Sequence, residues 1–410
     1  MPERINCNAA LLVVILLAVS WAGVAGPPAD LSVSDTHVRL RGSFRNARLR
    51  FENDKRGHVA FIGGSITEMQ GYRPLVMDIL KRRFPETTFT FTDAGIASTC
   101  STTGAFRLHD DVLSQGPVDL FFVEFAVNDD QDAHHAYREC LRGMEGIVRH
   151  TRLHNPYADI VIVYFINPEM LTIWQSGEVP LPVRAHDAVA EHYAIATVNL
   201  AKEVAQKIEA GSLTWQEYGG THPGVIGNTL CANMIDRLMS LAWDSAGRAG
   251  GERLAHPLPA PLDRHSYADG RPVAPKKVHL VRDAVVQVPD WSNIQGACRR
   301  RFVGERLLCA EKPGAEVTLD FEGTAVGAYL LAGPDAGMVD VSVDSQPPRA
   351  VNLYHDFSAQ LHYPRTVMFE TDLEPGQHVL RLHVSDEKDP RSTGHVLRVL
   401  RFVQNGVSHP

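Results

Sequence analysis

Across residues 59–241, short apolar runs alternate with stretches of helical period. Val59 to Ile62 reads as a strand ending in Gly63-Gly64, and the segment after it sets Leu75, Ile79 and Leu80 on one helical side. Phe89 to Phe91 reads as the next strand. Val118 to Phe125 is almost wholly apolar, as a strand covered on both faces is, and Ile160 to Ile166 repeats that signal. Alanine-rich helical segments follow at 183–194 and 200–210, and a last helix is expected from about Gly224 to Leu241. Strands alternating with helices predict a parallel sheet with helices on both faces. Ligands in such sheets bind beyond the carboxyl ends of the strands.

The flanks follow other rules. Val38 to Phe51 mixes apolar and basic residues and alternates strictly in Val38-Arg39-Leu40-Arg41, so 26–58 is expected as an extended lead-in to an α/β domain at 59–245. Glycines and prolines crowd 246–276, from Gly247, Gly250 and Gly251 to Pro272 and Pro275, which marks a linker or a strap across a domain boundary. Beyond it no helical period stands out. Val317 to Phe321, Ala325 to Leu331, Val339 to Val343, Val367 to Phe369, His378 to Val384 and Leu397 to Phe402 read as strands separated by Gly, Pro and Asp. That rhythm predicts an all-β, jelly-roll-like sandwich over 277–410. At the other end, Arg4, the apolar run Ala9 to Val19 and the small residues before Gly26-Pro27-Pro28 describe a signal peptide at 1–25. The run is short for a bilayer span. No second one follows, so a secreted or periplasmic protein without a stable membrane span is expected.

Hydrophobic residues make up 44% of the 410, which is a globular composition with room for two cores. A formal charge of −8 and the lack of a long basic run argue against a nucleic-acid partner. The short Arg299-Arg300-Arg301 run reads as a solvated strand end. After removal of the leader five cysteines remain, so at least one is unpaired within the chain. Cys298 and Cys309 are placed to bridge two neighbouring strands, and the cysteine spacing fails the usual zinc patterns. Asp335 and Asp340 lack EF-hand spacing, so neither a metal nor a cofactor is expected.

Three segments carry candidate chemistry. Ser65 follows a strand and two glycines and precedes a helix, where free N–H groups would stabilise a developing oxyanion. The same serine also suits a helix cap. The segment lacks both glycine-rich nucleotide patterns. Asn128 closes the apolar strand in Val123-Glu124-Phe125-Ala126-Val127-Asn128-Asp129, and its amide can donate to a negative oxygen. His222, in Thr221-His222-Pro223, sits in a loop before the last helix with a side chain suited to proton transfer near neutrality.

Taken together, Gly63-Gly64-Ser65-Ile66-Thr67, Asp93-Ala94-Gly95, Ala126-Val127-Asn128-Asp129 and Thr221-His222-Pro223 resemble the SGNH, or GDSL-type, hydrolases in order and placement over about 59–241. The resemblance implies a three-layer, flavodoxin-like fold. It also implies Ser65 as nucleophile, His222 as base, and an oxyanion hole formed by Ser65, Gly95 and Asn128. Many members of the family remove acyl groups, often acetyl, from carbohydrates; others act on lipids or thioesters. Two departures stand out. Gly64 replaces the usual acid before the serine, and Gly219 replaces the Asp three residues before the histidine. Glu217 is the nearest acid able to orient His222 in its place, and a backbone carbonyl is the alternative.

The sandwich lacks a nucleophile–base pair. Trp291, Tyr329, Tyr354, His355, Phe357 and Tyr363 either form an aromatic face for sugars or, as we favour, fill the core and seal the domain against its neighbour. The expected activity is hydrolysis of O-acyl, chiefly O-acetyl, esters of carbohydrates through an acyl-enzyme. A lipid or aryl esterase and a noncatalytic glycan-binding protein are the competing readings.

Overall fold

A computed structural model describes residues 30–244 and 251–406. The expected leader at 1–25 lies outside them. The first domain contains β1 (Val38–Arg39), α1 (Asn46–Asp54), β2 (Arg56–Gly63), α2 (Ser65–Glu68), α3 (Tyr72–Arg83), β3 (Thr88–Gly95), α4 (Ser101–Asp111), β4 (Leu120–Glu124), α5 (Tyr137–His154), β5 (Asp159–Val163), α6 (Pro168–Gln175), α7 (Leu181–His192), β6 (Ala196–Val198), α8 (Leu200–Glu209), α9 (Trp215–Tyr218) and α10 (Val225–Trp243).

The sheet order is β1-β6-β5-β4-β2-β3. β2 to β6 run parallel, and β1 adds an antiparallel edge to β6. Every residue of β4 and β5 is buried, in keeping with their almost wholly apolar sequences. The five parallel strands follow the flavodoxin order, whose switch point lies between β2 and β4. Ser65 follows β2 and Asn128 follows β4, so the topology brings these two segments to one crevice.

The extended lead-in is corrected in part. Only Val38–Arg39 pairs as a strand, and Asn46–Asp54 is a helix. Ala47 and Phe51, one turn apart, are buried, while Arg48–Glu52 and Arg50–Asp54 form ion pairs at the same spacing on the outside. The expected linker is a strap over 251–269. Arg149 and Arg152 of α5 donate to the Pro259 and Pro257 carbonyls, and Glu145 accepts the Leu262 and Asp263 amides.

The second domain contains β7 (Gly270–Pro272), β8 (Val278–Arg282), β9 (Ala284–Gln287), β10 (Leu307–Ala310), β11 (Glu316–Gly323), β12 (Ala325–Ala332), β13 (Met338–Val343), β14 (Arg349–Asn352), β15 (Tyr363–Glu370), β16 (Gly376–Val384) and β17 (Leu397–Asn405). Two sheets result, β15-β12-β17-β10-β9 with β7 on β17, and β14-β13-β16-β11-β8. β11 shows the period: Val317, Leu319 and Phe321 turn inward while Asp320 and Glu322 are exposed. Ala325 and Val403 pack into the core of the first domain, so the two domains share an apolar seam.

Cys298 and Cys309, whose placement left a bridge open, are both free thiols, as are Cys100, Cys140 and Cys231. Among the described residues no helix is long and apolar enough to cross a membrane.

Candidate active site

β2 ends at Gly63, and the chain turns through Gly64 into α2, so Ser65 opens a helix at the carboxyl edge of the sheet. The turn is crowded. A Cβ at position 63 would meet Thr67 Oγ1 at 2.2 Å, and one at position 64 would meet Asn128 Oδ1 at 1.9 Å. A side chain at position 64 would collide with the Asn128 amide, which fills the space beside Gly64. Ser65 Oγ and His222 Nε2 are 2.8 Å apart. The first N–H groups of a helix lack intrahelical partners, so the Ser65 amide is available to a ligand.

His222 is exposed and sits on a loop shaped by glycine. Gly219 ends α9 with φ +106°, and Gly220 follows at φ +85°. Gly224 N–H closes the loop onto the Tyr218 carbonyl at 2.8 Å. A Cβ at position 219 would lie 1.9 Å from Gly224 N, so this loop excludes the usual aspartate at that position. The expected substitute, Glu217, is not brought to the histidine. Its Oε2 accepts the Thr214 N–H and Oγ1–H, each at 2.8 Å, which forms a capping box at the start of α9. Those hydrogen bonds hold the exposed carboxyl below its ordinary pKa. Among the described residues no group accepts a hydrogen bond from His222 Nδ1, and the residue is exposed.

Asn128 is buried and begins a single π-helical turn, Asn128–Asp132, of the kind found often at functional sites. Its Nδ2 donates to Asp132 Oδ2 at 2.5 Å, while its Oδ1 is buried without a partner. The next residue, Asp129, is structural. It accepts hydrogen bonds from the Ser101 N–H and from the Oγ hydroxyl of the same serine, both at 2.7 Å, and faces His186 Nε2 at 2.9 Å. Burial pushes its carboxyl up, but the hydrogen bonds from His135 and His186 outweigh it and hold the group well below its usual range. Cys100, Asp129 and His135 have potential ligand atoms within 4.8 Å of one another. The Ser101 and His186 contacts already occupy Asp129, which gives that cluster a structural explanation.

Gly95 lies at the end of β3 as expected, but its N–H donates to Asp93 Oδ1 at 3.0 Å. The Ile96, Ala97 and Thr99 amides are committed as well, to the Gly63 carbonyl, Glu68 Oε2 and the Ile96 carbonyl. The Ser98 and Cys100 amides have no partner among the described residues, and Ser98 holds φ +69°. The free donors on this turn thus lie beyond Gly95.

Two features escape a reading of the sequence. Glu124, at the end of β4, is buried beneath the serine turn, where Thr67 Oγ1 donates to its Oε2 at 3.1 Å. Burial pushes its carboxyl up to about 7. The signal available was a single acid ending an otherwise apolar run. The second feature is the reach of the sandwich. Arg299 donates to Ser98 Oγ at 2.6 Å, and Arg301 donates to Glu68 Oε1 at 2.9 Å and to the Gly95 carbonyl at 3.2 Å. These arginines grip the loops of the site, which corrects their reading as a solvated strand end. Of the aromatic group, His355 and Tyr363 stack at 4.1 Å and both reach Asp132, so they seal the domains together.

Comparison with known proteins agrees with this geometry. Residues 61–230 match the GDSL-like Lipase/Acylhydrolase family. A two-domain esterase (CEX) active on acetylated mannans, co-crystallized with mannopentaose, is similar in fold with a TM-score of 0.68 at 20% identity. It covers 91% of this chain and 98% of its own. Another structure of such a two-domain esterase gives a TM-score of 0.71 at the same identity and coverage. An A type blood alpha-D-galactosamine galactosaminidase from Flavonifractor plautii is 29% identical over 124 residues, 30% of this chain but only 11% of that protein. Residues 61–230 thus match a GDSL-type family model, and the chain shares the fold of the two-domain esterases, an α/β domain followed by a β-sandwich.

Proposed function

We propose that this protein is a serine esterase that removes O-acetyl groups from carbohydrates through an acyl-enzyme. The observation that carries the reading is the 2.8 Å pairing of Ser65 Oγ with His222 Nε2 at the start of a helix. His222 takes the Ser65 proton as Oγ attacks the ester carbonyl. The oxyanion that forms is met by the Ser65 amide and by the Asn128 amide. His222 then protonates the sugar oxygen as its bond to the acetyl carbon breaks, and afterwards takes a proton from the water that attacks the acetyl-enzyme and returns it to Ser65 Oγ as acetate leaves. With Glu217 committed to its own helix, Ser65 and His222 work as a dyad.

The carbohydrate assignment draws support from the full-length likeness to an esterase active on acetylated mannans. The expected leader fits a secreted or periplasmic enzyme acting on a glycan outside the cytoplasm. A panel of acetylated glycans and of acyl esters of rising chain length tests it. Acetate release from the glycans, abolished by Ser65→Ala, is the expected result. A preference for long acyl chains assigns the site to lipids instead, and inertness of every ester with retained glycan binding makes the protein a binder.

A further inference from the structure

Asn128 can serve an oxyanion only if its amide presents N–H, and an amide is nearly symmetric in shape. Its orientation is set by what lies next to it. Asp132 Oδ2 can only accept when ionised, so it selects the Nδ2 end of Asn128 and leaves the second N–H of that nitrogen free. Asp132 thus determines which way the amide points.

The carboxylate of Asp132 is itself held from outside the hydrolase domain. Its second oxygen, Oδ1, receives the hydroxyl of Tyr363 at 2.8 Å. Tyr363 opens β15 of the sandwich. Its single proton lies between Asp132 Oδ1 and the Ser98 carbonyl, 3.2 Å away on the turn with the free amides. The main-chain carbonyl of Asp132 accepts from His355 Nε2 at 2.6 Å. Phe357 N–H donates to His355 Nδ1, which fixes the tautomer that carries its hydrogen on Nε2. Apart from Asn128, the described residues give the Asp132 side chain no hydrogen-bond partner except Tyr363.

We propose that Tyr363 is a positioning residue for catalysis: it holds Asp132, which orients the Asn128 amide toward the oxyanion, so the sandwich completes the oxyanion hole. The proposal rests on the esterase reading above. It makes the second domain part of the active site without any contact between Tyr363 and substrate.

The test is a double-mutant cycle on the full chain with an acetyl ester substrate. Tyr363→Phe keeps the ring that stacks on His355 and removes the hydroxyl. It should lower kcat about tenfold with KM within about twofold, because an oxyanion donor acts on the transition state and not on ground-state binding. In an Asn128→Ala background the same change should cost nothing further, since the group it positions is gone. Asp132→Asn supplies a second route. It should lose at least as much kcat as Tyr363→Phe, and the two together no more than Asp132→Asn alone. An unchanged kcat in Tyr363→Phe, or an equal loss with and without Asn128, overturns the proposal. A loss expressed in KM or in Tm alone overturns it too, since that is what domain packing by itself would give. Failure of the underlying esterase reading looks different: Ser65→Ala would then retain the wild-type rate.

Discussion

The two halves of the proposed site are supported very differently. On the oxyanion side, Asn128 is buried, rooted in a π-helical turn, and backed by Asp132, the Asp129 network and residues of a second domain. On the base side, His222 is exposed on a loop with two left-handed glycines, and Ser65 is its one protein partner among the described residues. The contrast fits what each half does. Donors stabilise a developing charge only if they are already in place when it forms, because reorganising them would consume the gain. A proton shuttle must meet its serine, the leaving group and a water in turn, and one hydrogen bond with solvent on the other ring nitrogen suffices for that.

The largest expected effects fall on the chemistry shared by both halves. Ser65→Ala and His222→Ala should each lower kcat by about 10⁴-fold or more, measured as acetate release, with circular dichroism unchanged. Next comes the supported side. Asn128→Ala should lose about 10²–10³ in kcat with KM little changed, the range known for a single oxyanion-hole donor. A loss below tenfold would mean that the buried side does less than its support implies.

A pH experiment probes the floor beneath that side. Glu124 is buried and its carboxyl is pushed up to about 7, above the ordinary value of 4.5. The folded protein therefore holds a proton there that the unfolded chain releases. Stability should fall as pH rises from 4.5 to about 7, by on the order of 3 kcal/mol from this group in full. Glu124→Gln mimics the protonated acid, so its Tm should decline less than that of the wild type between pH 5 and pH 8. Equal declines would place the titration elsewhere.

The smallest effect belongs to the base side. Glu217→Gln should leave kcat within about tenfold, under roughly 1.4 kcal/mol of barrier. Its cost should be in stability, about 1 kcal/mol for a weakened helix cap. A loss near 10³-fold or more in kcat at unchanged Tm would restore Glu217 as the orienting acid and erase the contrast between the halves.

The features legible in the sequence are those set by local pattern. The apolar runs at 118–125 and 160–166 became the buried strands β4 and β5, and the alternating runs beyond 316 became the sandwich. Ser65, Asn128 and His222 were legible because each sits at a strand end or in a pre-helix loop with distinctive neighbours. The rest was missed for two reasons, local side-chain competition and contacts from distant parts of the chain. Thr214, three residues before Glu217, is a capping-box pattern, and that local signal takes the carboxylate away from His222. The commitment of the Gly95 amide to Asp93 depends on a side-chain rotamer. Arg299, Arg301 and Tyr363 lie 201 to 265 residues from the residues they touch, so only the packing of two domains reveals their part. Asn46–Asp54 misled because alternating basic residues suit a strand edge, while burial of Ala47 and Phe51 on one side requires a helix.

The central claim is that Ser65, activated by His222, is the nucleophile. Peptide mapping after treatment of the full chain with a fluorophosphonate tests it most directly. The account predicts one covalent adduct, on Ser65, lost in His222→Ala together with acetate release. An adduct on another residue, or an unlabelled Ser65 in protein that still releases acetate, would contradict it.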